Sequence, residues 1–177
     1  MKIAILGHSG SGKSTLAARL GKKHGIPVLH MDSVHFLPGW VERPAEDMRR
    51  DEVRFLDEND SWVIDGNYSA VEQPRRLSEA DQIIIMQFSR FSSLYRAWKR
   101  YRTYRGRDRE SMAKGCPEKL DWAFVKWILW EGRSKKKLAH FRSIGETYPE
   151  KTVYIRNQRQ LDEYMRREGI SPAKTGG

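Results

Sequence analysis

The stretch Gly7-His8-Ser9-Gly10-Ser11-Gly12-Lys13-Ser14-Thr15 constrains this chain more than any other. It follows the spacing Gly, four residues, Gly-Lys-Ser, between the apolar run Ile3-Ala4-Ile5-Leu6 and a helix-like segment. This is the pattern of a phosphate-binding P-loop, and each fixed position has a physical reason. Glycines let the backbone turn tightly and bring several N–H groups toward phosphate oxygens. The Lys13 ammonium would reach the outer phosphates and the Ser14 hydroxyl would ligate Mg²⁺. The N-terminus of the following helix adds its partial positive charge. The nucleotide-binding set expected from the motif is Gly7, Ser9, Gly10, Ser11, Gly12, Lys13, Ser14 and Thr15.

Hydrophobic periodicity organises the rest. Residues 2–6 read as a buried strand and 14–24 as a helix with Leu16, Ala17 and Leu20 at helical spacing. Gly25 ends that helix and Pro27 bars its continuation. Residues 27–31 form a second strand closing on Asp32. A strand–helix–strand unit of this length implies a right-handed crossover and a parallel sheet. Residues 32–40 read as loop, punctuated by Pro38-Gly39, and 45–58 as an amphipathic helix with Pro44 in its first turn. Residues 61–64, 82–88 and 151–155 supply three more strands and 158–168 a closing helix. The expected fold is a three-layer α/β/α P-loop NTPase fold with five parallel strands, one domain over residues 1–170, and a frayed tail over 171–177.

Two carboxylates stand at predicted strand ends. In open α/β sheets ligands sit beyond the carboxyl ends of strands, so Asp32 projects toward the phosphate site. It would accept a substrate hydroxyl or hold a Mg²⁺-bound water, or else cap a turn. Asp65 ends the strand Trp62-Val63-Ile64, where a carboxylate that organises Mg²⁺ is expected in a P-loop protein. Asp-Gly is also ordinary turn chemistry. His35, Trp40 and Arg43 are candidates to line a substrate pocket, and Arg75 or Arg76 to clamp a substrate phosphate.

The formal net charge of +10 is unevenly spread. Residues 89–145 hold sixteen Lys and Arg against five Asp and Glu, which leaves the remaining chain near neutral. Such a block suits triphosphates, nucleic acid or an acidic partner, or forms a solvated face. Within it, residues 91–104 predict a helix with Phe91, Leu94, Trp98 and Tyr101 on the apolar side and Arg96 with Arg100 on the other. Residues 105–117, rich in Arg and Gly, read as a mobile flap. Residues 120–130, apolar nearly all round, predict a helix buried on several sides. Residues 133–144 are a basic helix with Lys135, Lys136 and Lys137 toward solvent. The lone Cys116 leaves no internal disulfide and no cysteine-cage zinc site, and points to a reducing cytoplasm. Apolar runs fall well short of the ~20 residues of a membrane span. The oligomeric state is left as monomer or homodimer.

With these motifs in place the chain resembles the P-loop nucleoside and nucleotide kinases of the adenylate kinase type. More closely it is similar to the bacterial DNA topology modulation proteins, which share that kinase-like sequence. The resemblance spans residues 1–169. It is carried by residues 7–15, by Leu29-His30-Met31-Asp32 with Pro38-Gly39-Trp40, by Val63-Ile64-Asp65-Gly66-Asn67-Tyr68, and by Arg96-Ala97-Trp98-Lys99-Arg100. It implies ATP and Mg²⁺ as cofactors, Asp65 with Ser14 at the metal, and Arg96 and Arg100 leading into a helical, arginine-rich lid near residues 100–120. With Lys13 and Asp32 from the loop and strand-end readings, the expected catalytic set is Lys13, Asp32, Asp65, Arg96 and Arg100. Where those kinases continue Asp-Gly with Phe-Pro-Arg, which helps bind a monophosphate, this chain has Asn67-Tyr68. The expected activity is transfer of the ATP γ-phosphate to a nucleotide or small-molecule acceptor. The alternative is an ATP-regulated DNA-binding protein acting through residues 89–145.

Overall fold

The computed structural model describes residues 1–107, 109 and 111–171; Asp108 and Glu110 of the flap and the tail beyond Ser171 lie outside the described residues. Five parallel strands form the sheet in the order β2-β5-β1-β6-β7: β1 (Lys2–Gly7), β2 (Val28–His30), β5 (Trp62–Asp65), β6 (Gln82–Met86) and β7 (Thr152–Ile155). Their apolar runs divide by parity, since successive side chains of a strand point to opposite faces. Ala4, Leu6, Ile64, Ile83 and Ile85 meet α3 (Ala45–Glu58), α4 (Gln73–Glu79) and α7 (Lys135–Thr147) through Met48, Leu56, Leu77, Phe141 and Ile144. Ile3, Ile5, Val63, Ile84 and Met86 meet α1 (Lys13–His24) and α8 (Gln158–Arg167) through Leu16, Leu20, Leu161 and Met165. These are the three layers expected.

Register places the functional ends together. Gly7 pairs with Met86, Ile5 with Asp65, and Asp65 with His30, so the carboxyl ends of β1, β2, β5 and β6 lie side by side. The loop expected over residues 32–40 is instead a short helix, α2 (Met31–His35), followed by a hairpin of β3 (Phe36–Leu37) and β4 (Val41–Glu42). Pro38-Gly39 makes the hairpin turn, so the punctuation was local while the pairing around it was not readable. Asp32 therefore sits in the first turn of a helix rather than in a loop.

Helix α5 (Arg90–Tyr104) is rotated from the expected orientation. Phe91 is 80% and Trp98 42% exposed, while Ser93 and Ala97 are buried. The cause is close approach to the P-loop: a Cβ on Gly10 would lie 2.4 Å from the Ser93 carbonyl oxygen. Only small residues fit that contact, so the large aromatics face out. Helix α6 (Trp122–Leu129) is likewise not enclosed; Ile128 is its one buried residue, and Trp122 is 73% exposed. It packs against α5 and the turn over Glu131–Arg133, and Trp122 and Trp130 remain largely exposed. Between α5 and α6 the described arginine-rich residues form turns, closed by a bridge of Arg105 with Glu118.

Beneath β5 lies a buried ion pair. Arg76, 1% exposed, donates to Glu52 Oε1 at 3.1 Å and to the Gly66 carbonyl at 3.3 Å, and Glu52 is fully buried. Burial pushes the Glu52 carboxyl up and the Arg76 guanidinium down, and each partner opposes the other's shift. Arg76 thus anchors the turn after Asp65. Glu52→Ala should cost about 3–5 kcal/mol in urea unfolding by leaving Arg76 buried and unpaired, whereas the paired change Glu52→Met with Arg76→Leu should recover most of it. A single-variant loss below about 1 kcal/mol would show that the pair is not what holds this turn.

Candidate functional site

The P-loop is built against its neighbours by backbone contact. Gly7 (φ 139°) lies where a Cβ would sit 2.1 Å from the Met86 carbonyl oxygen, so no side chain fits. The His8 N–H donates to that carbonyl at 3.0 Å. Asn67 clamps Gly7 from both sides: its Oδ1 accepts from the Gly7 N–H at 2.9 Å, and its Nδ2 donates to the Gly7 carbonyl at 2.8 Å. Gly12 (φ 95°) caps α1 in the left-handed region. The first-turn N–H groups of a 12-residue helix then face the loop.

Asp65 ties the end of β5 to the first turn of α1 and to the end of β2. The Ser14 hydroxyl donates to its Oδ2 at 2.7 Å, and its Oδ1 takes a short hydrogen bond with His30 Nδ1. The carboxylate is 3% exposed. Asp32 lies across the site, its Oδ1 accepting from the Tyr68 hydroxyl at 2.7 Å. Burial and the neighbouring Asp32 push the Tyr68 phenol far above its ordinary range, so it stays a donor. Lys13 Nζ donates to the His8 carbonyl at 3.0 Å. Burial lowers its ammonium below the usual lysine range, the charges of Asp32 and Asp65 act against that, and Arg100 adds to it. Lys13, Asp32, Asp65 and Arg100 are therefore electrostatic neighbours.

Of the predicted arginines, Arg96 donates to the Ser11 carbonyl at 3.1 Å, bonds Gln158 of α8 and lies 4.1 Å over the Phe88 ring. Arg100 is 2.8 Å from Glu118, and Arg109 is 2.6 Å from the same carboxylate. Both predicted arginines thus turn inward, on the face opposite the exposed aromatics. Arg43, Arg75 and Arg76 do not converge on the loop. Arg43 pairs with Asp51 at 2.8 Å, Arg75 with Asp57 and Glu79, and Arg76 with Glu52. His35 meets Phe36 edge to face and lies at a tilt to Tyr68. Thr15 is exposed one residue beyond Ser14, and Ser9 accepts from the indole N–H of Trp127 at 3.1 Å.

Sequence reasoning singled out neither His30, Asn67, Tyr68, Glu118 nor Trp127 as functional. Asn67 and Tyr68 carried a signal, the replacement of Phe-Pro-Arg after Asp-Gly. Glu118 carried none, being one acid in a basic segment. The residues fit a nucleotide phosphate chain and a divalent ion. Positive-φ glycines open the loop, Ser11 Oγ is buried without a hydrogen-bond partner, and the Ser14–Asp65 pair offers hard oxygen donors. Among the described residues no cluster of three or more His, Cys, Asp or Glu side chains is placed to hold a metal by itself. None of the described helices is long and apolar enough to cross a membrane.

Comparison with solved structures finds this α/β fold over nearly the whole chain. The deoxyadenosine kinase from M. mycoides with bound dATP superposes with a TM-score of 0.53 at 16% identity, covering 96% of this chain and 100% of that one. The same enzyme with products dCMP and a flexible dCDP gives 0.52 at 15% identity over 96% and 99%. At this identity the likeness is one of fold. Neither a protein-family model nor a curated protein matches the sequence.

His8, 4% exposed inside the loop, gives a pH signature. Burial, then the charges of Arg133, Lys13 and Lys137, hold its imidazole down at about 4, against a weaker raising contact from the Gly132 backbone. In the unfolded chain it would titrate near 6.5. Between those values the unfolded state binds the extra proton, so stability falls as pH drops from about 6.5 toward 4, by at most about 3 kcal/mol. Urea unfolding from pH 7 to 4.5 should show a steeper loss for the wild type than for His8→Asn; parallel pH profiles would contradict this assignment.

Proposed function

We propose that this chain is an ATP- and Mg²⁺-dependent phosphotransferase. The observation that carries the reading is the 2.7 Å hydrogen bond from Ser14 of the loop to Asp65 at the neighbouring strand end, with Asp32 facing the same Lys13. Phosphoryl transfer is mostly positioning and neutralisation of charge spread over the phosphate oxygens. In this reading the loop N–H groups from Ser9 to Thr15 cradle the phosphates, and Lys13 bears on the transferred group. Arg96, stacked over Phe88 and tied to α8, borders the nucleotide, and Arg100 approaches from the lid. Ser14 and Asp65 would hold Mg²⁺, which when bound neutralises phosphate charge and aligns the phosphate chain. His30 fixes the rotamer of Asp65, and Asp32 orients the acceptor. A kinase fold over nearly the whole chain supports the assignment.

Labelled ATP offered with a panel of nucleosides, nucleotides and small alcohols should yield a phosphorylated product. Lys13→Ala should reduce transfer at least ~100-fold, as removal of a preorganised charge stabiliser does. Transfer to no acceptor, together with nucleotide binding indifferent to Lys13→Ala, would reject the reading.

A second reading rests on one feature. Phe91, Tyr95 and Trp98 form an exposed aromatic stripe on α5, with Arg102 lying 5.0 Å from the Trp98 ring. Aromatics interleaved with cations suit nucleic acid, as the resemblance to DNA topology modulation proteins also suggests. Fluorescence anisotropy should then show DNA affinity falling steeply with salt, by a log–log slope near −0.9 per phosphate contacted on duplex DNA, and lower in Trp98→Ala. No binding at low salt rejects it.

A further inference from the structure

Resting on the phosphotransferase reading, we infer that the acceptor is an uncharged, ring-bearing hydroxyl compound of nucleoside type rather than a phosphorylated one. Three observations carry this. The first is the fate of the cations. A monophosphate needs free Arg or Lys donors on the acceptor side, and the arginines on that side are committed to carboxylates. Arg43 holds Asp51 and the Val34 carbonyl, and Arg76 is buried on Glu52 and the Gly66 carbonyl. Arg109, the lid arginine whose charge is felt by Asp32, shares Glu118 with Arg100, and Lys119 lies 4.7 Å over the Trp40 ring and 3.5 Å from Asp121.

The second is the character of the wall beside Asp32. From the Tyr68 hydroxyl on Asp32 a series of rings runs outward: Tyr68 to His35 with centroids 4.9 Å apart, His35 to Phe36 at 4.4 Å, and Phe36 to Trp40 at 5.3 Å. An acid and flat apolar faces repel a phosphate dianion and suit a neutral ring carrying a hydroxyl. The third is Trp40 itself. It is the only non-glycine among the described residues with positive φ, 65°, and its indole N–H is buried with no hydrogen-bond partner. Strain of this kind persists where surrounding structure enforces it. Here the lid does so: the Gly39 N–H donates to the Gly115 carbonyl at 2.8 Å, and the Cys116 thiol to the Leu37 carbonyl at 3.1 Å. The hairpin tip that carries this ring is thus held against the lid.

The step balances with ATP as donor. The acceptor hydroxyl oxygen forms a bond to the γ-phosphorus, and its proton passes to the Asp32 carboxylate. The bond from that phosphorus to the bridging oxygen breaks, and its electron pair leaves on ADP. Tyr68 positions Asp32 and is not itself a reacting group.

The test compares matched pairs, the common ribo- and deoxyribonucleosides against their 5′-monophosphates, by kcat/KM with ATP and by calorimetric binding to the full chain. A nucleoside should be preferred over its own monophosphate by at least ~10-fold, since a like-charge juxtaposition costs well over the 1.4 kcal/mol that a factor of ten represents. Asp32→Asn should lower nucleoside transfer at least ~100-fold while narrowing the discrimination against the monophosphate. Tyr68→Phe, which keeps the ring, should lower kcat with little change in KM. Preference for a monophosphate, no nucleoside bound or phosphorylated, or discrimination unchanged in a folded Asp32→Asn protein would each overturn the inference. ATP binding and its dependence on Lys13, measured on the same preparation, report separately on the phosphotransferase reading. If they hold while monophosphates win, only the acceptor assignment fails.

Discussion

Asp65 is a buried carboxylate bonded at once to Ser14 in the first turn of α1 and to His30 at the end of β2. A charge so far from water is tolerated only when its hydrogen bonds are made, and here they come from segments far apart in the chain. Their alignment depends on strand register, and register depends on the two apolar layers that grip the sheet. The turn after Asp65 is held by Arg76 on Glu52 below and the Gly66 carbonyl above. One residue further, Asn67 ties the same turn to Gly7. The phosphate loop and the acidic strand end are therefore one mechanical unit.

A second unit covers the first. The lid turns and the β3–β4 hairpin meet through Gly115, Cys116, Leu37 and Gly39, while Glu118 gathers Arg100 and Arg109 beneath them. Two guanidinium groups on one carboxylate remain close together without repelling each other into solvent, which keeps positive charge near Lys13. The described residues of the flap form local turns, with the buried acid Glu118 bonded to Arg100 and Arg109. On the other side of the loop, Trp127 bonds Ser9 and carries Lys137 3.5 Å over its ring, so α6 and α7 also border the phosphate site.

The amino-acid sequence by itself determined the loop, the five apolar strands and the carboxylate of Asp65 at the end of one of them. These follow from short-range rules: glycine spacing, alternation, and strand-breaking turns. Asp65 and Ser14 were readable as partners because the motif brings a known chemistry with it. Tertiary structure alone decided which face of α5 turns inward. Its apolar stripe looked like the buried side, yet the close packing of Gly10 on Ser93 admits only small residues there and sends Phe91 and Trp98 outward. It alone decided the fate of the arginines as well. Arg75 and Arg76 are neighbours in sequence, but one lies on the surface and the other is buried on Glu52, because only position along α4 relative to the core separates them. Charge counting sees the same cation in each case; the pairing that removes it from, or leaves it to, a substrate is a property of the packed layers.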